Sequence, residues 1–147
     1  MYNASRGVGY VKYGSYNISA GDEKELADRL YNAGPISVSF KVVNGFKNYA
    51  GGVYSHEDCG TGPMDVNHAV LATGYGVEDG KAFWNIKNSW GNQWGSAGYF
   101  KILRGENMCA IAQCNAYPLI DSPTSQWSQR IYLTNPSFIN IISIDNH

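Results

Sequence analysis

Apolar and polar side chains alternate strictly over Ile36-Ser37-Val38-Ser39-Phe40, which predicts a half-buried strand because extended backbone turns successive side chains to opposite faces. Just upstream the period changes. Leu26, Ala27, Leu30 and Tyr31 recur at helical spacing and predict one buried face on a helix from Asp22 to about Asn32. Asp22 stands where an N-cap belongs, and Glu25 three positions later completes a capping-box pattern. Gly34 and Pro35 end the helix. Three more strand-like runs, 67–75, 82–88 and 98–103, are separated by Gly-rich turns at 76–80 and 90–98, and this predicts an antiparallel sheet. Residues 1–19 read as extended and Gly-interrupted, anchored by Tyr10, Val11, Tyr13 and Tyr16. Residues 44–65 are loop-rich, with a short helical turn at 46–49, and 115–119 can return as an edge strand. No internal repeat is found. The fold class is α+β, with one amphipathic helix.

This patterning stops near Asp121. Residues 121–147 are rich in Ser, Asn and Ile, with Pro123 and Pro136 breaking any periodicity; only 139–144 could pair as a strand. The expectation is a single domain over 1–120 followed by a poorly ordered or non-native tail. Composition alters little in that picture. The chain of 147 residues is 44% hydrophobic and 16% charged, with 17 Gly and 11 Tyr, which suits short strands and tight turns. Its 11 basic and 12 acidic residues give a net charge of -1, so no basic excess points to nucleic acid. No apolar run approaches the roughly 20 residues that span a bilayer, and the first six residues do not read as a secretion signal. Two glycosylation sequons occur, Asn3-Ala4-Ser5 and Asn17-Ile18-Ser19, a tripeptide that also arises by chance. Three cysteines, Cys59, Cys109 and Cys114, leave at least one without a partner in the chain, either as a free thiol or bonded to another chain. No metal or other cofactor is expected.

The candidate chemistry sits at two strand ends. His68 lies in Val66-Asn67-His68-Ala69-Val70, and Asn88 in Lys87-Asn88-Ser89-Trp90-Gly91. Singly, each has a bland reading, a packed strand histidine and a turn-capping asparagine. Together they are two polar groups at the ends of adjacent strands, where side chains can meet. An imidazole that takes a proton from a thiol and passes it to a leaving amine is the base a thiol protease needs. An amide oxygen on its other nitrogen fixes tautomer and orientation. Trp90, two positions on, can cover that contact and exclude water.

The stretch Asn67-His68-Ala69-Val70-Leu71-Ala72-Thr73-Gly74-Tyr75-Gly76, followed by Lys87-Asn88-Ser89-Trp90-Gly91, resembles the papain-like cysteine peptidases. Trp94-Gly95, Gly98-Tyr99-Phe100, Asn107-Met108-Cys109-Ala110-Ile111-Ala112 and Tyr117-Pro118 extend the resemblance in register over about residues 5 to 120. Met64-Asp65-Val66-Asn67-His68 and Asn107-Met108-Cys109 resemble the cathepsin H and plant aleurain branch most. The resemblance implies the β-rich carboxyl-terminal lobe of the papain-like fold, with an antiparallel, barrel-like sheet. It implies His68 as general base and acid, Asn88 as its orienting partner, and Trp90 as a shielding indole lining the cleft. Ser39, Asn67 and Ala69 match positions lining the pocket for the second substrate side chain. Cys59 and Cys109 match a disulfide, worth roughly 2–4 kcal/mol and made in an oxidising compartment. Cys114 matches a position that in cathepsin H is bridged to a short proregion peptide, which blocks part of the cleft and makes the enzyme an aminopeptidase. Its plain reading is a small buried residue near the pocket wall. The compartment implied is lysosome, vacuole or outside the cell, and the implied substrate is a peptide or protein.

One motif of the family is missing from these residues. The nucleophile of such peptidases lies in a Gln…Cys-Gly-Ser-Cys-Trp pattern on a helix, whose N-terminus lowers the thiol pKa, and no such pattern occurs here. The expectation is that this chain is the His/Asn lobe alone, inactive without a nucleophile lobe, and exposing an apolar inner face that the other lobe would cover. Three readings follow: a piece of a cysteine endo- or aminopeptidase, an inactive lobe serving as a binding module or relic, and an artefactual reading frame.

Overall fold

The computed structural model describes residues 11–120, and every structural statement below concerns these. Strand β1, Val11–Asn17, leads to helix α1, Glu23–Ala33. Strand β2, Ile36–Phe40, is followed by a single helical turn at Phe46–Asn48 and the two-residue strand β3, Val53–Tyr54. Then come β4, His68–Glu78, β5, Lys81–Lys87, and β6, Tyr99–Leu103. A turn of helix at Met108–Ala110 precedes β7, Ala116–Ile120. The predicted strand 139–144 lies outside the described residues.

Helix α1 begins as its sequence dictates, with one refinement. Asp22 Oδ1 accepts the Glu25 N–H at 2.8 Å, removing one of the unpaired donors of the first turn. Glu25 does not reach back to the N–H of Asp22. Its Oε2 instead accepts the Ser19 N–H at 2.9 Å and its Oε1 the Tyr16 hydroxyl at 2.8 Å, so it braces the end of β1 as well as the helix. These donors, the Ser19 amide foremost, hold its carboxyl pKa down to about 2. Leu26 and Leu30 are buried and Ala27 packs against the core, but Tyr31 is 80% exposed. The step from Leu30 to Tyr31 turns about 100° round the helix, out of the buried stripe.

Burial along β2 alternates as its pattern requires, with Ile36, Val38 and Phe40 inside. The sheet runs β1-β7-β2-β4-β5-β6-β3. The β2–β4, β2–β7, β4–β5 and β5–β6 pairs are antiparallel, but β3 lies parallel to β6. With β1 and β3 left as edges, the sheet is open rather than a closed barrel. The α+β class with one helix holds, and three details of it are corrected: the sheet is mixed, it is not barrel-like, and residues 44–65 contain a short strand. A two-residue strand shows no periodicity that a sequence reading could detect.

One core packs both α1 and the Phe46 turn against the sheet. It contains Leu26, Leu30, Val38, Phe40, Phe46, Trp84, Ile86, Phe100, Ile102 and Ile111. Trp84 is fully buried, and its indole N–H donates to Glu23 Oε2 at 2.9 Å. The same carboxylate accepts the N–H groups of Gly105 and Asn107. Glu23 therefore ties the start of α1 to β5 and to the loop carrying Cys109. Large apolar side chains left exposed include Tyr75 and Val77, at the far end of β4 from His68, and Met64, in the loop leading to it.

Candidate active site

His68 opens β4, paired with Phe40 of β2, whose ring stands edge-on at 5.8 Å between centroids. The preceding residue extends that ladder with its side chain. Asn67 Oδ1 accepts the Val42 N–H at 2.8 Å, and its Nδ2 donates to the Val42 carbonyl at 3.0 Å. The loop leading in is braced by Asp65. The Gly62 N–H, first, and then the ammonium of Lys41 at 3.2 Å, hold its carboxyl pKa below the usual value. Gly60 has φ +73°, and a Cβ there would stand 2.6 Å from the Asp65 carboxylate. Only glycine lets this loop close round that side chain.

Asn88 follows the last residue of β5. Lys87 pairs with Leu71, so Asn88 comes level with Val70 and diagonal to His68, a separation polar side chains can bridge. Its own N–H donates to the Gly98 carbonyl at 2.9 Å. Gly98 is buried at φ +90°, closing the turn that carries the tryptophans.

Neighbouring groups settle the geometry of the pair. Asn88 is 8% exposed, and its Oδ1 accepts the Ser89 N–H at 2.8 Å. A backbone N–H can only donate, so the atom facing it is the amide oxygen. The same oxygen lies 2.9 Å from His68 Nε2, which must then carry the proton. Nδ1 is left as the nitrogen with a lone pair. Asn88 Nδ2 is buried and has no partner among the described residues.

The Trp90 indole lies over the imidazole, 5.1 Å between centroids and inclined at 32°. Trp90 is itself supported edge-on by Phe46 at 5.8 Å and Trp94 at 4.9 Å, while the Trp94 N–H donates to the Lys47 carbonyl at 2.8 Å. The polar contact therefore sits under an aromatic roof that limits competition from water. Ser39 and Ala69 face each other across the β2–β4 ladder, one pair along from Phe40 and His68. Asn67 adjoins them, but its side chain is occupied by the Val42 backbone.

Cys59 and Cys109 are bonded to each other and buried. Cys114 is a free thiol and exposed, which corrects the plain reading of it as a buried residue. Its neighbours Ala112 and Asn115 are the buried ones. A groove of about 980 Å³ runs between residues 55–61 and Leu103, Glu106 and Met108, and a smaller one of about 420 Å³ lies beside Thr73 and Lys101. Neither is lined by His68, Asn88 or Trp90. The Ser89 N–H, the Gly98 carbonyl and the Val42 backbone, which fix the site, were not found in the sequence because their contribution does not depend on side-chain identity.

The profile of the papain family cysteine proteases matches residues 2–119. A pro-cathepsin H of Medicago truncatula is 53% identical over 116 residues, which cover 79% of this chain and 33% of that protein. The thiol protease aleurain of Arabidopsis thaliana is 50% identical over 117 residues, 80% of this chain and 33% of that protein. Among solved structures, the digestive procathepsin L2 proteinase from the larval midgut of Tenebrio molitor superposes with a TM-score of 0.74 at 40% identity. That match covers 80% of this chain and 37% of the other. The chain thus spans about a third of the length of the curated relatives it matches. On its sequence profile, its mixed sheet with one helix and its relatives, the chain belongs to the papain family of cysteine proteases, on the cathepsin H and aleurain side, and has the β-rich carboxyl-terminal lobe of that fold.

Proposed function

We propose that this chain supplies the proton-transfer half of a thiol-dependent peptide-bond hydrolysis, with His68 as general base and acid and Asn88 as its orienting partner. The observation that carries this reading is the hydrogen bond from His68 Nε2 to an Asn88 oxygen whose identity the Ser89 N–H fixes. With Nε2 protonated, Nδ1 takes the proton of an approaching thiol and the imidazolium returns it to the departing amine, a role worth typically 10²–10⁴ in rate. The amide oxygen stabilises the imidazolium as it forms, and Trp90 keeps water from that bond. Ser39 and Ala69, small and adjacent, form part of the wall for the second substrate side chain and leave it open to bulky apolar groups.

The thiol itself is assigned to a segment outside these 147 residues. Cys59 and Cys109 are consumed by their bond, and Cys114 is followed by β7 and so does not stand at the N-terminus of a helix, where such a nucleophile has its pKa lowered. An oxyanion hole contributes about 2.7–4 kcal/mol in comparable acyl transfers, and the donors expected for it belong to the same absent motif. Cys114, exposed and free, is available to bond a proregion-derived peptide, which would favour aminopeptidase over endopeptidase action. The disulfide supports assembly in an oxidising compartment, and a lysosomal, vacuolar or secreted location is proposed on that ground and on family membership.

The test uses the purified chain with dipeptidyl fluorogenic substrates and an epoxide inhibitor directed at this family. No turnover and no labelling are expected. Inhibitor on Cys114 under mild conditions would contradict the assignment of the thiol. Mass spectrometry of the natural product then shows whether a nucleophile segment and a peptide on Cys114 accompany this lobe.

A further inference from the structure

We propose that Asn44 is a site of spontaneous modification, where the Gly45 backbone nitrogen displaces the side-chain amide and the isoaspartyl product loosens the turn that carries Phe46. The two residues lie in Val43-Asn44-Gly45-Phe46, and no other asparagine of the chain is followed by glycine. A side chain on the following residue crowds such a ring closure, and glycine has none. The pair alone is a tendency of sequence. Three features of the fold make it a site.

The first is that both reacting groups are free. Asn44 and Gly45 are exposed. Among the described residues, the Asn44 side chain has no hydrogen-bond partner and the Gly45 N–H has no acceptor. The second is room. A Cβ built on Gly45 would meet nothing within 4 Å, so no neighbouring segment blocks the approach. The third is that the turn itself demands glycine at 45. The Phe46 N–H donates to the Val43 carbonyl at 3.2 Å, and Gly45, third in that turn, has φ +91° and ψ -21°. This is the conformation that a type II turn reserves for glycine. The fold thus requires the residue that makes Asn44 labile. Closure turns the Asn44 Cα–C bond, and the hydrogen bond that resists this is a long one.

In the reaction, the Gly45 nitrogen bonds to Asn44 Cγ and the Cγ–Nδ2 bond breaks. Nδ2 leaves as ammonia, taking up the proton that the Gly45 nitrogen gives away. Water, the one co-reactant, then adds to either carbonyl of the cyclic imide. Breaking the bond from the Gly45 nitrogen to Cγ yields aspartate. Breaking the bond from that nitrogen to the main-chain carbonyl carbon yields isoaspartate. No oxidation or reduction occurs. Attack needs a deprotonated backbone nitrogen, so the rate rises with pH.

Isoaspartate places the side-chain methylene in the main chain, between two fixed points. Val42 is held through its N–H and its carbonyl by the Asn67 side chain. Phe46 is 1% exposed and packs edge-on against Phe40, Phe100 and Trp90. The bond from Phe46 to Val43 is the contact that yields. Through Phe46 the change reaches Trp90, which lies over His68.

The experiment incubates the purified chain under native conditions at and above neutral pH and follows every asparagine-containing peptide by mass spectrometry. Methyl transfer by an isoaspartyl methyltransferase marks the isomerised product. The peptide holding Asn44 should lose its amide ahead of the others, faster as pH rises, and become the methyl acceptor. Asn44→Gln, whose longer side chain closes a larger ring far more slowly, should abolish both signals. In the converted chain, hydrogen exchange at the Phe46 N–H should quicken while the Val42 N–H stays protected. An Asn44 amide that survives the incubation, or outlasts those of other asparagines, overturns the site. Unaltered exchange at Phe46 in the converted chain overturns the loosening of the turn.

Discussion

The His68–Asn88 contact illustrates how one backbone donor decides the chemistry of two side chains. Because the Ser89 N–H faces Asn88 Oδ1, the amide has one orientation, and His68 is left with its proton on Nε2. Removing the acceptor should release that preference. Nitrogen-15 spectra of the neutral imidazole are expected to show mainly the Nε2–H form. In Asn88→Ala the ratio of the two tautomers should fall about five-fold, the equivalent of roughly 1 kcal/mol for one hydrogen bond. An unchanged ratio would mean that something else orients the ring. His68 and Asn88 were legible in the sequence because each carries a distinctive side chain at a strand end, and Trp90 because it follows Asn88 by two positions in the turn. The donor that orients them was not, because any residue but proline at position 89 offers the same N–H.

Among the elements, α1 was the easiest to foresee and is the most informative where it departs from expectation. Asp22 caps it as its position implies, but Glu25 spends its carboxylate on Ser19 and Tyr16. Sequence spacing identified a capping pair; it could not tell which N–H would be within reach, since that depends on how β1 approaches the helix. The bonds have a consequence for pH. Glu25 binds its proton more weakly in the folded chain, near pH 2, than at its ordinary value of 4.5, and Asp65 shifts in the same direction. The unfolded chain therefore takes up protons first as pH falls. The stability these groups contribute is complete above about pH 5 and is lost progressively toward pH 2. Melting temperature should fall through that window, and Glu25→Gln should flatten the fall. Parallel curves for the two proteins would contradict the assignment. The β3 strand shows the opposite limit of legibility, since two residues set by the path of a long loop leave no pattern.

At the scale of the whole molecule, the Cys59–Cys109 bond joins the loop before His68 to the segment that leads into β7. Restraint of an unfolded loop of this size is worth up to about 4 kcal/mol by chain entropy. Cys59→Ser with Cys109→Ser should lower the denaturant midpoint and raise the slope, because the freed denatured chain exposes more surface. A midpoint within error of the parent would show that the native state gains nothing from the bond. The family resemblance was legible because several motifs occur in order with the right gaps. The open, mixed form of the sheet was not, because edge strands are chosen by how distant segments pack.

The central claim is that His68, held by Asn88, is a working proton-transfer base once a thiol is brought to it. The most direct measurement replaces the corresponding segment of an active cathepsin H-type protease with residues 14–119 of this chain and determines kcat/KM with and without His68→Ala. The account predicts an active hybrid that loses about 10²-fold or more on that substitution. A correctly folded hybrid whose rate is unaffected by His68→Ala would contradict it.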